Sequence, residues 1–188
     1  MKVLRTPMAS PFFTIGHSTR SVAELANLLH HAGAGFVVDV RAFPRSRTNP
    51  QFNFDVLPES LAEWQIGYRH IQVLGGLRGH RRDQGPSPNG YWENLSFRNY
   101  ADYTATAAFG AGLAELRDLG HIRNCAVMCA EAVWWRCHRR IIADYLLSDA
   151  EQVFHIMGAG KVEQAVLNQA AVRQQDGTLI YPGDCAAS

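Results

Sequence analysis

The stretch Cys125–Leu147, CAVMCAEAVWWRCHRRIIADYLL, contains the pattern that decides the fold. It opens with the apolar run Cys125–Met128, continues with a polar and aromatic insert, and ends with apolar residues at helical spacing from Ile141 to Leu146. This order predicts a strand, a loop and a helix. In parallel α/β sheets, ligands bind in the crevice between the carboxyl ends of strands and the helices that follow. The loop is therefore the place where we expect a site.

The remainder of the chain alternates short apolar runs with amphipathic segments. Each run predicts a strand, and the segments between them carry apolar residues at helical spacing. Ser21 followed by Glu24 is a capping box, which predicts the start of the first helix. The alternation indicates an α/β fold with a mainly parallel central sheet of about five strands and helices on both faces. The predicted strands are Pro11–Gly16, Phe36–Val40, Tyr68–Val73, Cys125–Met128 and Gln152–Ile156.

Three further segments have less regular patterns. Phe97–Leu119 predicts a long helical region that breaks near Gly110 and Gly112. The segment Gly76–Leu95 has no periodicity, and a loop of about 20 residues in a compact domain is generally functional. A flexible glycine link then leads to a last amphipathic segment at residues 162–167.

Length and composition favour one domain, 1–188, with one core. The hydrophobic fraction of 47% is that of a globular protein. No apolar run approaches the roughly 20 residues that cross a bilayer, and Arg5, Pro7 and Pro11 interrupt any signal-peptide pattern. We therefore expect a cytoplasmic protein with no membrane partner. Its four cysteines are then expected to be free thiols, metal ligands or nucleophiles rather than disulfides.

The formal net charge of +1 argues against a globally basic nucleic-acid coat. Only Lys2 and Lys161 of the 18 basic residues are lysines, so arginine supplies nearly all the positive charge. Guanidinium groups match phosphate and carboxylate, and clustered arginines predict an anion site. The clusters are Arg41, Arg45 and Arg47, then Arg78, Arg81 and Arg82, then Arg136, Arg139 and Arg140.

Five segments occur in the same order as the motifs of a known family. They are TIGHSTRS at 14–21, VVDVRAFPRSR at 37–47, GYRHIQVLGGLR at 67–78, FRNYADY at 97–103 and MCAEAVWWRCHRRIIAD at 128–144. On these segments the chain resembles the domain-of-unknown-function 488 family. The resemblance covers 14–156, leaves 157–188 as a C-terminal extension, and implies a small bacterial, cytoplasmic α/β protein without a known activity. Trp134 and Trp135 depart from the family pattern, and we expect them to narrow or roof the pocket.

Polar residues collect where the predicted strands end, along one edge of the sheet. This convergence predicts an enzyme, a hydrolase or transferase, that acts on a phosphorylated or nucleotide-like substrate in an arginine-lined pocket. Glu131 and Asp39 are the acid or base candidates, and Cys129 and His138 assist them. The predicted substrate-binding residues are His17, Ser18, Arg41, Arg47, Gly75, Gly76, Arg78, Arg136, Cys137 and Arg139.

Several alternatives remain open on the sequence alone. The group Cys129, Glu131, Cys137 and His138 contains metal-ligand types and suggests a metal-dependent hydrolase, although the spacing is not that of a zinc knuckle with its close pairs of cysteines, and no metal site is assigned. Asp39 is equally suited to a structural pairing, and both cysteines to packing. No cofactor or oligomeric state is predicted. A nucleic-acid-binding or processing module is the other alternative, suggested by Arg78, Arg81, Arg82, Tyr91, Trp92 and Phe97 unless those aromatic rings only anchor the loop.

Overall fold

A computed structural model describes residues 10–79 and 85–183 of the chain. Arg81 and Arg82, which belong to one of the predicted anion-binding clusters, and Cys185, one of the four cysteines, lie outside the described residues. The strands are β1 (Phe12–Gly16), β2 (Phe36–Asp39), β3 (Gly67–His70), β4 (Cys125–Cys129), β5 (Val153–Gly158), β6 (Lys161–Gln164), β7 (Val172–Arg173) and β8 (Leu179–Ile180). The helices are α1 (Val22–Ala32), α2 (Leu57–Ala62), α3 (Leu95–Tyr103), α4 (Ala107–Ile122) and α5 (Arg139–Ser148).

The central sheet has the strand order β3-β2-β4-β1-β5-β6. All neighbours pair in parallel except β5 and β6, which pair antiparallel. The predicted α/β class and the mainly parallel sheet are confirmed, with six strands instead of about five. The extra strand is β6, which begins the segment predicted only as amphipathic. Gly160, with φ of 67°, provides the tight turn that lets β6 pair with β5.

Two hydrophobic cores lie on the two faces of the sheet. Leucines of α1 and α2 fill one core, and aromatic and aliphatic side chains of α3, α4 and α5 fill the other. Successive side chains of a strand point to opposite faces, so Cys125, Val127 and Cys129 of β4 face α3–α5, whereas Ala126 and Met128 face α1 and α2. Helices on both faces are therefore confirmed.

The long helical region breaks at a different place from the predicted one. Helix α3 ends at Tyr103, and Thr106 starts α4 by accepting a hydrogen bond from the backbone N–H of Phe109. The prediction of a break near Gly110 and Gly112 is wrong, because both lie inside α4. A Cβ on Gly112 would lie 2.5 Å from a methyl group of Val73. This glycine is thus explained by close packing on the short 3₁₀ turn Gln72–Leu74.

The chain leaves β1 and β4, neighbours at the centre of the sheet, in opposite directions. From β1 it passes through α1 to β2, beyond β4, and from β4 it passes through α5 to β5, beyond β1. Because α1 and α5 cover opposite faces, the loops after β1 and β4 stay uncovered at the carboxyl edge. Such a reversal is where open α/β sheets bind ligands. No helix within residues 10–79 and 85–183 is long and apolar enough to cross a membrane.

Candidate functional site

A pocket of about 460 Å³ opens at the carboxyl edge of the sheet. We call it the edge pocket. Its walls come from the segments after β2 and β4, the loop after β3, and the starts of α3 and α5. A volume of this size suits a small-molecule ligand. The predicted site residues that line it are Arg41, Gly76, Cys129, Glu131, Arg136, Cys137 and His138.

Cys129 and Cys137 form a close pair of thiols in the edge pocket. Cys129 is the last residue of β4, and Cys137 lies two residues before α5. The two sulfur atoms are 3.0 Å apart, and the Cys137 thiol donates a hydrogen bond to the Cys129 sulfur. This hydrogen bond lowers the pKa of Cys129 well below its usual range, whereas burial raises the pKa of Cys137. Of the two thiols, Cys129 is therefore the one that loses its proton more readily.

The His138 imidazole lies beside this pair of thiols, and its two ring nitrogens have different partners. Its Nε2 lies 3.1 Å from the backbone carbonyl of Val40, which can only accept, so the proton is on Nε2. In the neutral imidazole Nδ1 therefore presents a lone pair, 3.6 Å from Cys137 Sγ. The Tyr100 ring packs edge-on against the imidazole, and its hydroxyl donates to the Leu74 carbonyl over 2.7 Å. Sequence reasoning missed Tyr100 and the Val40 carbonyl, since nothing in the local pattern signals either contact.

Cys129, Cys137 and His138 have the donor atoms for a metal ion. The two sulfurs and an imidazole nitrogen lie within 4.8 Å of one another, and Zn²⁺ accepts such a ligand set. The hydrogen bond from His138 Nε2 to a carbonyl is the contact that orients metal-binding histidines. Glu131, which the sequence grouped with these residues, does not belong to this cluster of donor atoms.

Asp39 is enclosed and fully paired. Its carboxylate accepts hydrogen bonds from the backbone and guanidinium of Arg41 and from the hydroxyl of Tyr68. The side chain is 0% exposed and does not line the edge pocket. Val37, two residues earlier, faces the α1–α2 core, so Asp39 points to the opposite face of the sheet from Cys129. In this position Asp39 stabilises Arg41 and is not accessible to a ligand in the edge pocket.

Arg41 uses most of its hydrogen-bond donors inside the protein. Besides Asp39, the guanidinium contacts the Phe52 carbonyl over 2.7 Å and His17 Nε2 over 3.2 Å. At most one of its five N–H donors is left for a ligand. His17 is buried, which lowers its pKa, and together with Ser18 it lines a smaller neighbouring pocket of about 280 Å³.

Arg139 and Arg136 have opposite placements. Arg139 is 1% exposed and donates to the backbone carbonyls of Glu131 and Ala132, which fixes the loop after β4. Arg136 is exposed and lines the edge pocket. Of the arginines predicted to bind substrate, Arg136 is the one whose side chain the described residues leave available in this pocket.

Of the remaining predicted binding residues, Arg47, Gly75 and Arg78 lie outside the edge pocket, and Gly76 lines it. Arg78 stacks on the Tyr103 ring, with its guanidinium carbon 3.7 Å from the ring centroid. Arg47 is exposed on the surface, and Gly75 is buried against Ala42. Gly76 does line the pocket, where a Cβ would lie 2.3 Å from His138 Nδ1. The glycine thus leaves space for the imidazole.

Glu131 and the two tryptophans occupy the loop after β4. Glu131, one of the two predicted acid or base residues, is exposed and lines the edge pocket. Trp134 stacks on His155 with ring centroids 4.4 Å apart, and Trp135 packs edge-on against Trp134. Neither indole lines the edge pocket, so the expectation that they roof it is wrong.

Apolar side chains form another wall of the edge pocket. Phe43 and Leu77 are 71% and 73% exposed there, and Phe97 completes the wall. Sequence reasoning missed Phe43 and Leu77, because a single apolar residue in a loop has no periodic signal. Trp92 is 5% exposed and packs between Phe97 and Tyr181, each with ring centroids 5.1 Å away. Trp92 therefore anchors the loop before α3 to the core.

Comparison with known proteins gives one positive result. The sequence profile of the domain of unknown function DUF488 matches residues 21–146, most of the chain. The search of curated proteins and the search of solved structures gave no significant match. The matched residues include β2, β3, β4 and the segments that line the edge pocket. The chain therefore belongs to the DUF488 family.

Proposed function

We propose that the protein is an enzyme that acts on a small phosphorylated or nucleotide-like substrate in the edge pocket, with Cys129 as its nucleophile. The observation that carries this proposal is the contact of the Cys129 sulfur with the Cys137 thiol, 3.0 Å away, inside that pocket. A hydrogen-bonded thiolate is nucleophilic without further activation. The start of α5 beside it favours negative charge through its unpaired amides and dipole.

The remaining roles follow from what each side chain leaves available. Arg136 presents a guanidinium group in the pocket wall and suits the phosphoryl group of the substrate. Glu131 is the carboxyl group in the same wall and suits proton transfer to the leaving group. Asp39 has no such role, because its oxygens are engaged by Arg41 and Tyr68. The apolar wall of Phe43, Leu77 and Phe97 suits a base or another flat apolar group of the substrate.

Binding is tested by titration calorimetry with inorganic phosphate and with adenosine 5′-monophosphate. Arg136→Ala should weaken the binding of both by about tenfold, the loss of one charge-assisted contact. Arg47→Ala is the matched control, since Arg47 is exposed and lies outside the pocket, and it should bind as the wild type does. Equal affinities for the two variants would remove the edge pocket as the anion site.

Chemistry is tested by hydrolysis of p-nitrophenyl phosphate and a panel of 5′-nucleotides. Cys129→Ser should abolish any turnover that the wild type shows, while circular dichroism reports that the variant is folded. Glu131→Gln should lower kcat more than it raises KM, because its role is in the proton-transfer step. Undiminished turnover in a folded Cys129→Ser variant would refute the nucleophile.

A metal-dependent hydrolase is the second candidate, favoured by the donor atoms of Cys129, Cys137 and His138. Zn²⁺ there would have an open position towards the pocket for water or a substrate oxygen. Elemental analysis and native mass spectrometry of untagged protein decide between the candidates. One zinc per chain that is lost in His138→Ala would favour the metal, and a metal-free protein that keeps its turnover would favour the thiolate.

The nucleic-acid-binding alternative has weaker support in the described residues. Trp92 is 5% exposed, stacks on Phe97 and has the Arg140 guanidinium carbon 4.6 Å from its ring centroid, so the Trp92 ring is not open to bases. Fluorescence anisotropy with a labelled oligonucleotide tests the alternative. Affinity that falls steeply with salt would revive it.

A further inference from the structure

The two thiols of the edge pocket lie close together, although nucleophilic catalysis needs only one of them. Cys129 ends β4 and Cys137 lies just before α5, yet the chain brings their sulfur atoms to 3.0 Å. A disulfide bond is about 2.05 Å long, so the sulfurs have to approach by only about 1 Å to become bonded. Both residues are free cysteines in this structure.

We propose that Cys129 is a site of reversible oxidation by hydroperoxides and that Cys137 is the resolving thiol that closes a Cys129–Cys137 disulfide. The proposal rests on the proposed function in one respect, the access of small molecules from the edge pocket to Cys129. It adds a modification site and a regulatory state to the same pocket. The disulfide would remove the nucleophile and also keep it from irreversible oxidation.

The reaction balances in two steps. In the first, the Cys129 thiolate attacks one oxygen of a hydroperoxide, the O–O bond breaks, and the products are a Cys129 sulfenic acid and an alkoxide or hydroxide that takes up a proton. In the second, the Cys137 sulfur attacks the Cys129 sulfur, the S–O bond breaks, and water leaves. Two electrons pass from the two thiols to the peroxide. Two equivalents of a small thiol such as glutathione reverse the oxidation and become its disulfide.

His138 supplies the second step with a base in the right position. Its Nδ1 lies 3.6 Å from Cys137 Sγ, and its proton is kept on Nε2 by the Val40 carbonyl. In the neutral imidazole, Nδ1 can take the Cys137 proton as that sulfur attacks and pass it to the leaving hydroxide, which departs as water. Tyr100 and Gly76 determine where the imidazole lies, so the geometry of the base is built into the fold.

Cys125 provides an internal comparison within the same strand. It is completely buried, and burial raises its pKa to about 11. A buried, protonated thiol is a poor target for peroxide. Oxidation that is specific to the edge pocket should therefore spare Cys125.

The test uses the full chain, purified with reductant and then exposed to equimolar hydrogen peroxide. Free thiols are blocked with N-ethylmaleimide before trypsin digestion and mass spectrometry. Trypsin cleaves after Arg123, Arg136 and Arg139, so the expected disulfide joins the peptide 124–136 to the peptide 137–139. We expect the loss of two hydrogen atoms and of two alkylatable thiols, both restored by dithiothreitol. Fragmentation within 124–136 shows whether Cys129 or Cys125 is the partner.

Two variants and a sulfenic acid probe, dimedone, complete the design. Cys137→Ser should form no disulfide and should accumulate the dimedone adduct at Cys129, whereas Cys129→Ser should form neither. An unchanged thiol count in the wild type, a bridge to Cys125, or equal dimedone labelling of the wild type and Cys137→Ser would overturn the proposal. The wild-type measurement needs no variant to fold.

The two proposals fail in distinguishable ways, because this experiment contains no substrate. Turnover that depends on Cys129, together with an unchanged thiol count after peroxide, refutes the disulfide alone. A Cys129–Cys137 bridge together with undiminished turnover in Cys129→Ser refutes the nucleophile and leaves the redox site.

Discussion

Gly76 leaves the space that the His138 ring occupies. A Cβ at this position would lie 2.3 Å from Nδ1 and 2.5 Å from Cγ of His138. We expect Gly76→Ala to displace the imidazole and break its hydrogen bond to the Val40 carbonyl. Alkylation of Cys129 by iodoacetamide should then be about tenfold slower, which is a rise of roughly 1.4 kcal/mol in the activation free energy. The rate is read from the peptide that contains Cys129.

Gly79→Ala is the control for this change. Gly79 is close to Gly76 in the chain, yet a Cβ there would meet no atom within 4 Å. Alkylation in this variant should match that of the wild type. If both variants react at the wild-type rate, the position of His138 does not affect the thiol pair.

Asp39 and Arg41 form a buried ion pair, with one nitrogen–oxygen distance of 2.6 Å. Asp39→Asn keeps the shape of the side chain but leaves the Arg41 charge without its partner. We expect the free energy of unfolding, measured by urea denaturation, to fall by about 3–5 kcal/mol. Glu115→Gln, which breaks the exposed pair of Arg69 with Glu115, should change it by less than about 1 kcal/mol. Equal small losses would mean that Asp39 is not the structural anchor of Arg41.

At the scale of elements, helix α4 contains two glycines with different surroundings. Gly110 is exposed, and a Cβ there would meet nothing within 4 Å, so Gly110→Ala should raise the free energy of unfolding by about 0.5–1 kcal/mol. Gly112 is buried, and its Cβ would lie 2.5 Å from a Val73 methyl group. Gly112→Ala should therefore be destabilising in the same thermal or urea unfolding experiment. Stabilisation by both changes would contradict the close packing of α4 on Gln72–Leu74.

At the scale of the whole molecule, Asp144 ties α5 to the C-terminal extension. Its carboxylate accepts hydrogen bonds from the Asn168 backbone N–H and the Tyr181 hydroxyl, each over 2.9 Å. Burial outweighs these contacts and raises the pKa of Asp144 to about 6. The folded protein therefore binds the Asp144 proton more tightly than the unfolded chain does.

This linkage predicts a pH dependence with a definite sign. A carboxyl group with a raised pKa in the folded state stabilises the fold while protonated, and that stabilisation is lost as pH rises from about 4 through about 6. Asp144→Asn should remove this loss. Between pH 4 and pH 8, the free energy of unfolding of the variant should therefore rise by about 2–3 kcal/mol relative to that of the wild type. Urea denaturation at both pH values measures the difference. If the free energies of unfolding of the two proteins differ by the same amount at both pH values, Asp144 ionises alike in the folded and unfolded states.

Local patterns were sufficient to predict most of the secondary structure. Ser21 and Glu24 form the predicted capping box in the structure, and the run at Cys125 forms the buried strand β4. The predicted helix break at Gly110 and Gly112 was wrong. Helix propensity includes the free-energy cost of a glycine within a helix, but it contains no information about the close contact with Val73 that requires a glycine at position 112. A pocket does lie at the predicted edge of the sheet. Which of the predicted residues line this pocket and which are buried beneath it depends on the face of the sheet to which each strand residue points.

The sequence by itself determined the α/β class, the parallel strands and the loop after β4 as the place of a site, because hydrophobic periodicity and helix caps are local signals. Only the tertiary structure decided that β4 lies between β1 and β2, that Asp39 and Arg41 form a buried ion pair, and that the sulfurs of Cys129 and Cys137 are in contact. These are contacts between side chains from different elements. They depend on how the elements pack, which no window of neighbouring residues encodes.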